Sequence, residues 1–357
     1  MRAALLTALN QDLEVRDDFQ LDGPGLGEVR VRMGASGVCH SDVSFQNGTI
    51  PIPLPSIIGH EGAGEIIAVG EGVTDREVGD HCIISWVPPC GSCPFCLGQQ
   101  PNLCSQGMIQ AATPHFKLGA DPIFGGVGTP TFAEETVIPA IAAIPIDKDV
   151  PFDVASLIGC GVMTGVGAAI NTAAVRPGSS VLVIGAGGVG ISVIQGARAA
   201  GAAEIVAVDT VERKLDWAKQ FGATHAVRPE GLNDLKENLT GGRGFDYAFE
   251  VVGNPATVRS AWEQTRRGGT TVVVGVARMD QKVEFSAFEL FYMEKKLLGC
   301  YYGGADVRTD FHRMIRMWQN GQLDLEGMIT GRMDLGKIND AIKAMLAGEV
   351  IRTVIEY

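Results

Sequence analysis

A glycine-rich turn near the middle of the chain stands between a predicted strand and a predicted helix. The apolar strand SVLVI (180–184) leads into GAGGVG (185–190), and a helical stretch follows. Gly185, Gly187 and Gly190 have the spacing that allows a tight turn and a close approach of backbone amides to a pyrophosphate at the positive end of a helix. The pattern predicts a βαβ unit that binds a dinucleotide, and a glycine turn with only a structural role is the alternative.

An acidic residue after the next strand strengthens this prediction. The strand EIVAV (204–208) ends at Asp209. A carboxylate there can accept hydrogen bonds from ribose hydroxyls and would repel a 2′-phosphate, which favours NAD over NADP. Because the chain has 47 glycines, the spacing alone would be weak evidence for a dinucleotide site. The preceding strand, the following helix and Asp209 strengthen this evidence.

The region around this turn alternates strands and helices, which predicts a parallel, doubly wound sheet. Further strands are predicted at 245–252, 270–276 and 296–302, and helices at 211–222 and 255–267. Residues 1 to about 160 instead contain short alternating runs typical of antiparallel strands, such as 29–33, 64–73 and 81–87. The tail, with predicted helices at 306–320 and 336–347 and a strand at 350–356, is expected to return to the first domain.

Composition narrows the class of protein. A chain of 357 residues predicts two domains. Because the chain contains no run of about 18 apolar residues, no membrane span is predicted. The net charge of −12 disfavours nucleic acid and anionic membranes as partners. Eight cysteines, together with an N-terminus that does not look like an export signal, indicate reduced thiols in the cytoplasm and hence metal binding.

Four of the eight cysteines lie in CGSCPFCLGQQPNLC (90–104). Cys90, Cys93, Cys96 and Cys104 offer enough thiolates to close a tetrahedral zinc site with no open position, and an iron–sulfur cluster is the competing metal group. A saturated site cannot bind substrate, so this lobe is predicted to be structural.

A second group of possible ligands is scattered along the chain. GVCHSD supplies Cys39, GHEGAG supplies His60 and Glu61, and GCGVMTG supplies Cys160. Two thiolates and one imidazole make a three-ligand zinc site with a position left for water or substrate, and zinc there lowers the pKa of a hydroxyl. Taken singly, a buried Cys or His is more often a packing residue.

These blocks, with VDTVERK and EVVG, resemble the zinc-containing medium-chain alcohol dehydrogenases over essentially the whole chain, in the class III-like or aryl-alcohol branch. The resemblance implies an α/β protein with a GroES-like, β-rich catalytic domain (1–161 and 302–357, with the zinc lobe 90–104) and a Rossmann domain (162–301). It implies two zinc ions per chain, one catalytic and one structural, NAD as cofactor, and an alcohol or aldehyde as substrate.

The resemblance also assigns roles to individual residues. Cys39, His60 and Cys160 resemble the catalytic zinc ligands, Glu61 a nearby carboxylate, Asp42 the partner that orients His60, and Ser41 the hydroxyl that accepts the substrate proton. The implied cofactor-binding residues are His40, Thr164, Gly185, Gly187, Gly188, Val189, Gly190, Asp209, Lys214, Val274, Val276 and Arg352. Among these, Asp209 and Lys214 are expected at the adenosine ribose, Thr164 and the Val274–Val276 backbone at the nicotinamide, and Arg352 at the pyrophosphate.

Two positions depart from many relatives. Ser44 stands where animal relatives have a His that passes the proton to solvent, and His40 stands where many have an Arg at the pyrophosphate. The proton is therefore expected to leave through the cofactor ribose and water. A neutral His40 is expected to hold NAD more loosely and to speed NADH release.

The residues expected by position to line the pocket are apolar or aromatic: Ile50, Trp86, Ile109, Phe132, Val276 and Tyr301. This surface suits a primary alcohol of medium chain length, or an aromatic or terpenoid one. Core packing is the alternative for Trp86 and Phe132.

Two other functions remain open. One is a thiol-dependent formaldehyde dehydrogenase acting on the adduct of glutathione or mycothiol; the absence of Lys and Arg between Cys104 and His115 disfavours glutathione. The other is a non-enzymatic zinc module for protein interaction. By analogy with the family, the segment 270–302 is expected to form the edge of a homodimer.

Overall fold

The computed structural model describes residues 1–107 and 113–357, and the chain forms two compact units. The first unit contains residues 1–161, 306–320 and 325–357, and the second contains 162–305 and 321–324. The division thus places residues 302–305 and 321–324 with the second unit. The chain passes from one unit to the other directly after Gly161.

The strands of the described residues are short, and most belong to the first unit. In chain order they are β1 (Ala3–Leu6), β2 (Glu14–Arg16), β3 (Gln20–Leu21), β4 (Glu28–Gly37), β5 (Ser56–Ile57), β6 (Glu61–Val69), β7 (His81–Ile84), β8 (Phe116–Leu118), β9 (Asp121–Ile123), β10 (Glu135–Pro139), β11 (Ala143–Ile146), β12 (Ser180–Ile184), β13 (Glu204–Val208), β14 (His225–Val227), β15 (Phe245–Glu250), β16 (Thr265–Val273), β17 (Lys296–Gly299), β18 (Ile329–Asp334) and β19 (Arg352–Glu356).

The helices are concentrated in the second unit and the tail. They are α1 (His40–Gln46), α2 (Pro94–Leu97), α3 (Phe152–Leu157), α4 (Met163–Gly167), α5 (Gly188–Ala199), α6 (Glu212–Gln220), α7 (Leu232–Thr240), α8 (Pro255–Gln264), α9 (Ala287–Met293), α10 (Val307–Gln319) and α11 (Ile338–Leu346). Two π-helical segments, Ile158–Val162 and Ala168–Thr172, continue α3 and α4. Short 3₁₀ turns lie at Pro101–Leu103, Ala140–Ala142, Pro229–Gly231, Tyr302–Gly304 and Leu335–Lys337.

The first unit is built around a seven-stranded sheet with the order β11-β7-β6-β4-β19-β18, in which β10 also pairs with β4. Val29, Val31 and Met33 of β4 are buried, whereas Arg30 and Arg32 point outward and pair with Glu135 and Glu65. The predicted alternation in this run is therefore confirmed. The C-terminal strand β19 lies antiparallel to β4, so the tail does return to this unit.

The second unit has six parallel strands in the order β14-β13-β12-β15-β16-β17. Leu182, Val206 and Phe245 are completely or almost completely buried beneath the helices, which explains why these strands are continuous apolar runs. The strand order reverses direction at β12, the strand that leads into the glycine turn. In doubly wound sheets, ligands bind at such a point, outside the carboxyl ends of the strands.

Two predicted boundaries in this unit need correction. The helix predicted at 255–267 ends at Gln264, because Thr265 adopts an extended conformation and begins β16. The strand predicted at 296–302 ends at Gly299, and Tyr302, Gly303 and Gly304 follow with positive φ of 53°, 67° and 62°. Three successive left-handed residues cannot continue a strand.

The helical run Phe152–Thr172 is long and apolar enough to cross a membrane, with a mean hydropathy of 1.6 over its most apolar window. Since 83% of that window is buried inside the protein, the run has the character of a core helix.

Candidate metal centres and dinucleotide site

The first candidate site is built from the ends of separate elements of the first unit. Cys39 caps α1 just after β4, His60 and Glu61 stand at the start of β6, and Cys160 lies in the π-helical segment Ile158–Val162. Such wider helical turns occur frequently at functional sites. The turn before His60 depends on Gly59, whose φ is +88° and whose added Cβ would lie 2.6 Å from Thr131.

These four residues form one buried group. One ligand atom from each of Cys39, His60, Glu61 and Cys160 lies within 4.8 Å of the others. Nε2 of His60 is buried and has no hydrogen-bond partner among the described residues. Because an unsatisfied buried nitrogen is costly, it marks a place for a ligand. Two thiols and an imidazole are the donors of an open zinc site, so the group fits zinc.

Asp42 connects two members of this group. Its Oδ1 lies 3.0 Å from Nδ1 of His60, and its Oδ2 accepts a 2.8 Å hydrogen bond from the backbone N–H of Cys39. The rings of Phe45 and Trp86 pack edge-on against the imidazole, at 5.7 and 6.2 Å. The imidazole is therefore held in one orientation, which leaves Nε2 for a metal.

The electrostatics of the group favour a cation. Burial lowers the pKa of His60, but the charge and hydrogen bond of Asp42 outweigh burial and raise it to about 10. Burial also raises the pKa of Asp42. We place the shared proton on Nδ1, because the carboxylate already accepts a second hydrogen bond from Cys39. A hydrogen bond with Cys160 holds the pKa of Cys39 well below its usual value.

Glu61 is held from two sides. Its Oε1 accepts a 2.9 Å hydrogen bond from the N–H of Gly161, and its other oxygen pairs with Arg352. Arg352 is buried against Glu61, with 4% of the residue exposed. A guanidinium buried in this way requires a carboxylate partner, and the role of Arg352 at a pyrophosphate stays a prediction.

The four-cysteine lobe is a second, separate group. The ligand atoms of Cys90, Cys93, Cys96 and Cys104 lie within 4.8 Å of one another, and α2 and a 3₁₀ turn support them. The N–H of Cys96 lowers the pKa of Cys93 to about 6, whereas burial raises the pKa of Cys96 to about 12. Four thiols this close cannot all ionise without a cation, and the donor set fits a closed zinc site.

The glycine turn of the second unit is shaped to receive a ligand. Gly185 has φ +102°, and a Cβ on Gly190 would lie 1.9 Å from the oxygen of Gly185. A Cβ on Gly187 would meet nothing within 4 Å, so the space above it is open. Gly188 and Val189 begin α5, whose N–H groups face this end. The turn fits the pyrophosphate of a dinucleotide.

Asp209 reaches across to this turn. Its Oδ2 accepts a 2.8 Å hydrogen bond from the N–H of Ala186, and its Oδ1 accepts one of 3.0 Å from Val211. Lys214 lies in the first turn of α6, close in sequence to Asp209. The carboxylate is thus fixed beside the glycine turn while remaining partly exposed.

The remaining cofactor and proton-transfer residues lie in different settings. The Ser41 hydroxyl is 3.7 Å from the sulfur of Cys39, and His40 is exposed at the start of α1. The Ser44 hydroxyl donates to the carbonyl of His40. Thr164 is the partly exposed residue of an otherwise buried α4. In the second unit, Val274 is partly exposed and Val276 is exposed after β16.

The residues expected to line the pocket differ in how far they are buried. Ile50 and Trp86 are partly buried against the core cluster of the first unit, and Trp86 also packs on His60. Phe132 is completely buried in that cluster, so it is a core residue and forms no open surface. Tyr301 is exposed in the second unit, and Ile109 lies outside the described residues.

Sequence reasoning missed two contributors. The N–H of Gly161 holds Glu61, which only the fold reveals. Glu250, at the end of β15, is completely buried and bonded to the following loop. A sequence signal for Glu250 existed, because it is an acidic residue at the end of a predicted strand, much as Asp209 directly follows β13.

Comparison with known proteins gives consistent matches. The alcohol dehydrogenase GroES-like domain matches residues 25–148, and the zinc-binding dehydrogenase domain matches residues 188–320. A class-3 alcohol dehydrogenase of Cereibacter sphaeroides is 38% identical, and an S-(hydroxymethyl)glutathione dehydrogenase of Paracoccus denitrificans is 39% identical. Both alignments span 100% of this chain and 99% of the relative.

Solved structures of similar proteins match this chain over nearly its whole length. An alcohol dehydrogenase zinc-binding domain protein from Burkholderia ambifaria matches with TM-score 0.94 at 31% identity, over 99% of this chain and 98% of that one. Benzyl alcohol dehydrogenase from Acinetobacter calcoaceticus matches with TM-score 0.92 at 29% identity, with the same coverage. The predicted combination of a GroES-like domain with a Rossmann domain is confirmed.

Proposed function

The chain belongs to the zinc-binding alcohol dehydrogenase family, and we propose that it oxidises the hydroxymethyl group of a primary alcohol, with the S-hydroxymethyl adduct of a small thiol as its first candidate substrate. It is an oxidoreductase that depends on zinc and NAD. The observation that carries the proposal is the buried group of Cys39, His60 and Cys160, with Nε2 of His60 unsatisfied.

Cys39, His60 and Cys160 would hold a zinc ion, which would supply the Lewis-acid chemistry that lowers the pKa of the substrate hydroxyl, and NAD would supply the hydride acceptor. The side chains of this chain orient and protect the reaction. Asp42 fixes the His60 ring, and Trp86 packs edge-on against it. We assign to the Ser41 hydroxyl, which lies 3.7 Å from the sulfur of Cys39, the role of accepting the substrate proton.

The thiol-adduct substrate is favoured by the names of the relatives. Proteins that are 38–39% identical over the whole chain are called class-3 alcohol dehydrogenase or S-(hydroxymethyl)glutathione dehydrogenase. The thiol itself is a separate question, because the stretch from Cys104 to His115 carries no Lys or Arg to bind the carboxylates of glutathione. Glutathione and mycothiol are therefore both candidates for the thiol.

A benzylic alcohol is the second candidate. The surroundings of His60 are aromatic and apolar, with Phe45 and Trp86 packed on the ring, and a benzyl alcohol dehydrogenase is among the similar structures. An aromatic primary alcohol would gain from burial against such side chains.

One steady-state experiment separates the substrates. NAD reduction is measured with formaldehyde plus glutathione, formaldehyde plus mycothiol, formaldehyde alone, and benzyl alcohol. The proposal expects thiol-dependent kcat/KM to exceed that with benzyl alcohol by at least about tenfold, equivalent to about 1.4 kcal/mol. Greater activity with benzyl alcohol, and no dependence on either thiol, would replace the first candidate with the second.

The assembly and location belong to the same proposal. The strand β17 ends the parallel sheet, and beside it Phe288, Phe291 and Leu297 expose apolar side chains. An apolar patch beside an open strand edge suits a second copy of the chain, so we place a homodimer there. We place the protein in the cytoplasm, because all eight cysteines are free thiols and zinc sites of this kind need reduced sulfur.

A further inference from the structure

The order of the parallel strands assigns the two halves of NAD to opposite sides of β12. The glycine turn that suits the pyrophosphate follows β12, and Asp209, suited to the adenosine ribose, directly follows β13 on one side. On the other side lie β15 and then β16. A dinucleotide across the carboxyl ends of this sheet therefore extends its nicotinamide half over the loops that follow β15 and β16.

Glu250 ends β15 at the base of these loops and has no exposed surface. Its Oε1 accepts hydrogen bonds of 2.9 Å from the N–H of Val252 and 2.8 Å from that of Gly253, and it lies 2.6 Å from the hydroxyl of Thr257. Thr257 belongs to the first turn of α8, whose dipole stabilises a negative charge. The carboxylate thus closes the loop 251–253 onto the start of α8.

Glu250 also holds the loop after β16. Its backbone oxygen accepts hydrogen bonds of 2.8 Å from Val274 and 3.0 Å from Gly275. A Cβ on Gly275 would lie 2.1 Å from the nitrogen of Gly253 and 2.8 Å from Oε2 of Glu250. The two loops therefore touch each other directly, with the carboxylate at their junction.

The loop 251–253 presents an apolar side chain at the glycine turn. Val252 is 53% exposed, and a Cβ on Gly185 would lie 2.9 Å from its Cγ2. Any shift of this loop therefore moves Val252 relative to the turn. Oε2 of Glu250 has no hydrogen-bond partner among the described residues, so the carboxylate is bonded through one oxygen only.

We propose that Glu250 is a positioning residue for the nicotinamide half of NAD, because its buried carboxylate fixes the loop 251–253, which packs directly against the loop after β16. The inference depends on the use of NAD and not on which alcohol is the substrate. A failed substrate assay therefore leaves it intact, and its own test needs no alcohol.

The test compares NADH with ADP-ribose, which lacks the nicotinamide, as ligands of the zinc-loaded protein. Dissociation constants are measured by calorimetry for the wild type, Glu250→Ala, Glu250→Gln and Thr257→Val. Glu204→Gln, at the opposite end of the sheet, is the matched control. Loss of the buried acceptor leaves the N–H groups of Val252 and Gly253 unpaired, so Glu250→Ala should weaken NADH binding about 10- to 100-fold.

The contrast between the ligands decides the question. We expect ADP-ribose affinity to stay within about twofold, Glu250→Gln to recover most of the loss because it keeps an acceptor oxygen, and Glu204→Gln to match the wild type. Equal weakening of both ligands, or a lower melting temperature with NADH affinity unchanged, would overturn the proposal. If Glu250→Ala does not fold, Thr257→Val decides, since it should weaken NADH selectively by at least about threefold while leaving the carboxylate in place.

Discussion

The guanidinium of Arg352 on β19 forms an ion pair with the carboxylate of Glu61 on β6, and at most 5% of either side chain is exposed. The pair lies beside the group of Cys39, His60 and Cys160, since Glu61 belongs to the same cluster. It connects the C-terminal strand to the candidate zinc site and gives Arg352 a partner within its own unit.

Replacing Arg352 with Met should destabilise the protein by about 3–5 kcal/mol, because the Glu61 carboxylate would be buried without a counter-charge. Urea unfolding of the zinc-loaded protein measures the loss. The double variant Glu61→Gln with Arg352→Met should recover much of it. Strictly additive effects of the two substitutions would show that the pair is not coupled.

Asp42→Asn should weaken metal binding at the catalytic group about 10- to 100-fold, because it removes the carboxylate that orients His60. The zinc content after dialysis against increasing chelator concentrations measures the effect. Asp42→Asn should lose one of its two zinc ions at a lower chelator concentration than the other. Asp22→Asn, which affects only an exposed pair with Lys117, is the control. If both variants lost zinc at the same chelator concentration, the orienting role of Asp42 would be excluded.

The two metal groups should separate by mutation. The wild type is expected to hold about two zinc ions per chain. Cys160→Ala should hold about one, with turnover abolished and the melting temperature nearly unchanged, whereas Cys93→Ala should also hold about one but unfold at a lower temperature. A well-folded, inactive Cys93→Ala would reverse the assignment of the two sites.

Asp246→Asn should destabilise the parallel sheet by about 1–3 kcal/mol near neutral pH. Asp246 accepts hydrogen bonds from the N–H and hydroxyl of Ser180 and from Arg266. Burial alone would raise its pKa, but these bonds outweigh burial and hold the pKa below its usual value.

The pH dependence of the stability that Asp246 contributes follows from its lowered pKa. Because the folded-state pKa is the lower one, the stability is fully present above about pH 5 and is lost as the pH falls below about 4. Denaturant unfolding at several pH values should therefore show the wild type and Asp246→Asn converging in acid. Asp280→Asn, in an exposed pair with Arg278, should leave stability unchanged at every pH.

Phe291→Glu should convert the proposed dimer to a monomer, because it places a charge in the apolar surface beside β17. Light scattering coupled to size-exclusion chromatography measures the mass. Leu26→Glu is the matched control, since Leu26 is 78% and Phe291 80% exposed. A wild type that is monomeric at all concentrations would contradict the proposed dimer.

The sequence predicted the family, the fold class and the chemistry of the candidate ligands. The family assignment is confirmed by the two matching domains. It could be made from the sequence because rare spacings, as in Cys90–Cys104, occur together with the glycine turn and Asp209. The spacing alone left zinc and an iron–sulfur cluster as alternatives. For Phe132, pocket lining and core packing both stayed open until the fold was known, because burial depends on neighbours that are distant along the chain.

Local sequence by itself determined the residue types available for each site and the strand–turn–helix that forms the dinucleotide turn, because hydrogen bonding and glycine conformations act over a few residues. Only the tertiary structure decided the partners: Arg352 for Glu61, Asp42 for both His60 and Cys39, and Glu250 for two loops. Buried charges and carboxylates must find donors wherever the fold brings them, and no spacing along the chain encodes that choice.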